Sequence, residues 1–258
     1  MQLPPSGQNG PRITRPEKRR QPVFDAGPFR LGDAIVLVLY VVLFILGFAA
    51  LLHEVPGFRE VFSTPDAALF AVNLIGYAVL FAASMAMAFP VLRRSFRTFL
   101  HHPWAKGFMV PGAWIAALLV SAVTLMVLGE AVKSENQLTI ENLTTSIPFP
   151  TMFVVAVVMG PFVEEYIFRH LLIGKLSRKV NTWVCVLLSV ALFAGIHFVG
   201  SGGNFDPVAA VPYISLGAVI SIAYVLSGKS LAYSYILHAF NNAIALIVTY
   251  TVLPLIQP

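Results

Sequence analysis

Two adjacent carboxylates, Glu164 and Glu165, sit in the apolar stretch TMFVVAVVMGPFVEEYIFRH, with no other charged residue between Thr151 and Arg169. A buried carboxylate costs several kcal/mol unless it is paired or protonated. At membrane depth such a group is by default a candidate for function. Polar residues interrupt the later apolar runs at Phe193-Ala-Gly-Ile-His197, at His238-Ala-Phe-Asn241-Asn242, and along the small-residue row Ser215-Leu-Gly217-Ala-Val-Ile-Ser221. Glu, His, His and Asn on separate apolar segments form a hydrolase inventory. Removal from water suits Glu164 to act as a general base near neutral pH. His197 could share the attacking water, while His238 and Asn242 could donate to the oxyanion of a tetrahedral intermediate. Alternatively, Glu164, His197 and His238 could ligate zinc and leave one position for water. There is no His-Glu-x-x-His helix and no Gly-x-Ser-x-Gly elbow, which argues against the common zinc-protease and serine designs. The cofactor stays open between zinc and none.

Helical spacing divides these residues by task. Glu165 and Arg169 are four apart and share a face, the spacing of an ion pair. Glu164 is turned about 100° away, so both glutamates do not easily reach that arginine. This makes Glu165 and Arg169 a structural and orienting pair and leaves Glu164 for chemistry. Pro161 frees a carbonyl just upstream and brings irregularity beside the carboxylates. His238 and Asn242 project from one face on successive turns, whereas Asn241 is rotated toward a helix–helix hydrogen bond. The Ser215–Ser221 row reads as a tight packing seam.

The elements that position these groups are membrane helices. The chain has 258 residues, 57% hydrophobic and 11% charged, with a mean hydropathy of +0.79; soluble domains carry about 25% charged residues. Apolar runs of this length favour helices over barrel strands. The expected fold is an all-α, polytopic transmembrane bundle of about seven spans, six to eight being compatible with the pattern. The spans fall near 31–53, 67–91, 107–129, 151–172, 181–199, 208–227 and 230–253. With the N-terminus cytoplasmic, all of the 17 Lys and Arg residues except Arg59 and Lys133 fall on the inner side. The net charge of +5 therefore points to lipid headgroups rather than nucleic acid. A single cysteine, Cys185, excludes an intrachain disulfide.

Residues 1–30, with Lys18-Arg19-Arg20, read as a disordered cytoplasmic tail. Residues 31–150 form membrane helices with few candidate groups, and 151–253 hold nearly all of them. Gly200 to Pro207 reads as a surface turn, and 130–150, with Glu130, Glu135 and Glu141, as an outer or interfacial segment. On ideal straight helices, His197 lies near the outer end of its span and His238 nearer the inner third. Convergence then requires tilt or an irregular helix.

The three motifs together resemble the CPBP family of intramembrane proteases, also called the CAAX-protease, bacteriocin-processing or Abi family. Its Glu-Glu-x-x-x-Arg stands here as Glu164-Glu165-Tyr-Ile-Phe-Arg169, its Phe-x-x-x-His as Phe193 to His197, and its His-x-x-x-Asn as His238 to Asn242. The resemblance covers roughly 150–250. It implies endoproteolysis by glutamate-activated water in a bacterial multi-pass cell-membrane protein, with Glu164 and His197 activating water and His238 and Asn242 at the oxyanion. A peptide or membrane-protein substrate is implied, lipidated or leader-like. The rival readings are a non-catalytic scaffold or bacteriocin self-immunity protein of the same fold and, third, a transporter, for which no inverted repeat is evident.

Overall fold

The computed structural model describes residues 23–129, 132–199 and 205–256. Every apolar segment marked out above is helical, and no strand occurs among the described residues. α1 (Leu31–Tyr40) continues through a π-wound turn, Val41–Ile45, and meets the 3₁₀ helix Phe48–Glu54 at a bend of 55°. α2 (Pro65–Ser95), α3 (Pro103–Leu128) and the polar α4 (Glu135–Ser146) follow. α5 (Phe149–Arg178), α6 (Thr182–Ile196), α7 (Pro207–Leu226) and α8 (Leu231–Thr251) complete the bundle.

Among the described residues, five helices are long and apolar enough to span a membrane: α2 with its 3₁₀ extension to Leu100, α3, α5, α7 and α8. The bent pair at Leu31–Glu54 makes a sixth. At 15 residues, α6 is shorter than the about 20 that a bilayer asks for. The protein is thus an all-α, polytopic membrane bundle of five, or up to six, apolar spans.

α5 is the central helix, with 67% of its apolar window buried against 17% for α3. Phe162, Val163, Tyr166, Phe168 and Leu171 of α5 pack with Val36 and Tyr40 of α1, Leu80 of α2, Phe193 of α6 and Leu231 of α8. In a bilayer, ionisable groups of a span turn toward the bundle interior, and α5 carries Glu164, Glu165, Arg169 and Lys175, all buried. It is also irregular: π-wound segments at Val154–Met159 and Glu165–Lys175 flank a single α-helical stretch, Gly160–Glu164. The Gly160 N–H bonds to the Val155 carbonyl, five residues back. A Cβ at Gly160 would stand 3.2 Å from that same oxygen, so the winding suits glycine there.

The basic segments gather at one end of the bundle. The Phe24 N–H bonds to Gly228 O, Arg178 pairs with Asp25 at 2.8 Å, and Lys229 donates to Ser177. Ser230 Oγ donates to Ser95 O at the foot of α2, and the Lys106 ammonium lies over the Tyr233 ring. Disorder is expected through residue 30, yet from Phe24 onward the chain packs here and Ala26 is buried. The hydrogen bond and ion pair to the α7–α8 turn and the end of α5 explain the difference. Residues 1–22, including the Lys18-Arg19-Arg20 cluster, and Gly200–Asn204 of the expected turn lie outside the described residues, as does Glu130. At the opposite end α4 lies against α8 and α2: Tyr250 OH donates to Ile147 O, and Ser146 to Asp66.

Candidate active site

Glu164 closes the α-helical stretch of α5, and Glu165 opens the π-wound one. Both carboxylates point inward; Glu165 and Arg169 are 0% exposed and Glu164 is 9% exposed. The ion pair anticipated from four-residue spacing is present, with Arg169 Nη1 3.1 Å from Glu165 Oε1, off the line of a hydrogen bond. Arg169 also donates through Nη2 to Gly217 O of α7, and its guanidinium lies over the Phe193 ring at 4.4 Å. The small-residue row therefore does more than pack. A Cβ at Gly217 would meet Phe193 Cδ1 at 3.0 Å, so the glycine admits the ring as well as lending its carbonyl.

His238 on α8 joins the two glutamates. Its Nδ1 donates to Glu165 Oε1 at 2.9 Å, and its Nε2 faces Glu164 Oε2 at 3.7 Å. A carboxylate accepts, so the proton of this contact resides on Nδ1 and the ring orientation is fixed. The 3.7 Å separation is beyond a hydrogen bond, which leaves Glu164 Oε2 and His238 Nε2 facing one another with neither committed. Spacing alone places Glu165 with Arg169; the structure gives Glu165 a second partner in His238.

His197 caps α6 and donates from Nδ1 to Phe193 O at 2.8 Å, leaving Nε2 with its lone pair. Its ring stacks on Tyr213 at 4.0 Å between centroids and meets Phe193 at 5.0 Å. Phe193 in turn meets His238 at 5.6 Å. The two histidines are thus joined through one aromatic ring. Tyr213, tied to Ser134 Oγ at 2.7 Å, anchors the far side of the His197 ring. Neither Tyr213 nor Ser134 carries a signal in the sequence, since both look like ordinary interfacial residues.

Asn242 is brought to α5 by the winding of that helix. In a π-wound segment the Ala156 carbonyl would be served by the N–H five residues on, but that residue is Pro161, which has none. Asn242 Nδ2 supplies the missing donor at 2.9 Å, while its Oδ1 accepts from Asn241 Nδ2 at 3.0 Å. Asn241, read above as a helix–helix contact, instead orients its neighbour. One amide hydrogen of Asn242 remains for another acceptor. Asn242→Ala is expected to lower stability by about 1–3 kcal/mol through the orphaned carbonyl, whereas Asn241→Ala is expected to cost much less. Thermal unfolding of the two variants in detergent checks this.

Among the described residues no group of three or more His, Cys, Asp or Glu side chains is placed to hold a metal ion. Glu164, His197 and His238, the candidate zinc ligands of the sequence, form no such group. What the cluster can do chemically is hold a water or a carbonyl oxygen between a carboxylate and an oriented imidazole in a site removed from bulk solvent.

The Rce1-like family, described as type II CAAX prenyl endopeptidase Rce1-like, matches residues 146–244. That stretch is homologous to the CAAX/CPBP intramembrane proteases. It contains Glu164, Glu165, Arg169, Phe193, His197, His238 and Asn242. The membrane-embedded CAAX protease MroQ of Staphylococcus aureus (strain USA300) is 31% identical over 152 residues, 56% of this chain. YdiL of Bacillus subtilis (strain 168) is 30% identical over 95 residues, 36% of this chain. The matched stretches span 57% and 37% of those relatives' own lengths. No solved structure matches the chain significantly.

Proposed function

We propose that this protein is an intramembrane endopeptidase that cleaves a peptide bond by water activated at Glu164. The observation that carries the reading is the two-nitrogen engagement of His238, held by Glu165 at 2.9 Å and turned toward Glu164 at 3.7 Å. Glu164 takes the proton of the attacking water, assisted by the free Nε2 of His197. His238, when it carries a proton on Nε2, and the spare amide hydrogen of Asn242 donate to the developing oxyanion. Glu165 and Arg169 orient His238 and balance charge without touching the substrate. Proton return from Glu164 to the leaving amine completes the hydrolysis.

The catalytic unit on this reading is 151–253, preceded by membrane helices at 31–150. α6 counts as a seventh span, and the basic end lies in the cytoplasm, in keeping with the basic-residue bias. Substrates are peptides or membrane proteins presented at the bilayer, lipidated or leader-like, reaching the site laterally or from the cytoplasmic side. The name of MroQ as a CAAX protease supports this substrate class.

The test is cleavage of prenylated and unprenylated C-terminal peptides by the full chain in lipid nanodiscs, with products read by mass spectrometry. A defined new peptide terminus is expected. Activity is expected to persist after exhaustive chelation, because the described residues provide no three-ligand metal group. Absence of any cleaved bond would contradict the protease reading. Loss on chelation with recovery on zinc would contradict the glutamate-only version.

A further inference from the structure

The first apolar run of the chain holds one acid, Asp33 on α1, and it is 1% exposed. Its Oδ1 accepts from Tyr166 OH at 2.5 Å, and its Oδ2 accepts from Lys175 Nζ and from the Arg30 backbone N–H, both at 2.6 Å. Tyr166 follows Glu165 directly and stacks on His170, while Lys175 ends the π-wound segment. One carboxylate on α1 therefore grips both ends of the stretch that begins with Glu165.

That grip depends on the winding. At about 100° per residue, positions nine apart on an α-helix fall on opposite faces. With i→i+5 bonding and roughly 4.4 residues per turn, nine steps come close to two full turns and restore one face. The Leu176 N–H bonds to Leu171 O, five residues back, so the π winding runs through to Lys175. The far end of the segment is also fixed in place. A Cβ at Gly174 would stand 2.7 Å from Tyr224 OH and 2.9 Å from Ala26 Cβ, so this turn lies tight against α7 and the N-terminal segment. A return to α winding would turn the Glu165 end by up to half a turn relative to this anchor, away from His238.

From this geometry we infer that Asp33 is a positioning residue for the active site, holding the π winding that sets Glu165 against His238 and Arg169. The inference rests on the protease reading of the Glu164–His238 cluster. A purely stabilising role explains the arrangement less well, because the desolvation of a buried ion pair offsets most of its attraction. Long π-helical segments are rare and concentrate at functional sites, and this one carries both partners that orient His238.

The experiment compares wild type, Asp33→Asn and Asp33→Asn/Lys175→Met as full chains in nanodiscs. Each is followed by thermal unfolding, by kcat and KM on a cleaved peptide, and by ¹⁵N spectra of the His238 ring, assigned by their loss in His238→Gln. Asp33→Asn leaves Lys175 buried without its partner and is expected to lower the unfolding midpoint. The double variant is expected to recover the midpoint while kcat stays down by about 10²-fold at unchanged KM. Its His238 spectrum is expected to lose the signature of an Nδ1–H bound to a carboxylate. Recovery of kcat together with the midpoint, or a wild-type His238 spectrum in the double variant, would overturn the inference. If wild type cuts no peptide, the protease reading fails on its own. The His238 spectrum then decides the coupling from Asp33: altered in the double variant it stands, unaltered it falls.

Discussion

Glu164→Gln is expected to lower kcat by roughly 10³-fold, about 4 kcal/mol of transition-state stabilisation, with little change in unfolding midpoint. Glutamine keeps the shape and loses the ability to take a proton. The fold should tolerate it, because Glu164 shares no ion pair with Arg169 and its contact with His238 Nε2, at 3.7 Å, is not a hydrogen bond. A scaffold of the same fold would show no cleavage in either protein. Peptide kinetics alongside thermal unfolding separate these outcomes, and equal cleavage by both proteins would remove Glu164 from the mechanism.

Arg169→Met should act in the opposite sense, on the fold first. It removes the cation from Glu165, the donor from Gly217 O and the guanidinium from the Phe193 ring, all within the closed core. Breaking a buried pair by deleting one partner costs about 3–5 kcal/mol. Activity should fall with stability, since Glu165 would no longer hold His238 in register. Glu165→Gln/Arg169→Met should regain much of the midpoint, because replacing both charges removes their desolvation cost together. Titration of unfolding in mixed micelles gives the comparison, and an Arg169→Met protein as stable as wild type would contradict the assigned role.

The parts of this arrangement that follow from helical period were legible in the sequence. Four-residue spacing is enough to pair Glu165 with Arg169, and Pro161 is enough to announce a carbonyl without a donor. The local winding is not legible, because period arguments assume an α-helix and nothing in Glu165–Lys175 marks it as π-wound. That winding decides which carbonyl Pro161 orphans, Ala156 rather than Val157, and hence what Asn242 binds. It also lets Tyr166 and Lys175 reach one carboxylate. Asp33 itself could have been found by the rule that drew notice to the glutamates, being the one acid in the run from Leu31 to Leu52. The link between His197 and His238 through Phe193 depends on the α6–α8 packing, which no one-dimensional spacing encodes.

In this mechanism water, activated by Glu164, is the nucleophile. Single-turnover cleavage in H₂¹⁸O with enzyme in excess, acid-quenched and read by mass spectrometry, tests it most directly. One ¹⁸O is expected in the new C-terminal carboxylate of the product, with Glu164 unlabelled and unmodified. A substrate fragment attached to Glu164, or ¹⁸O in its side chain, would contradict it.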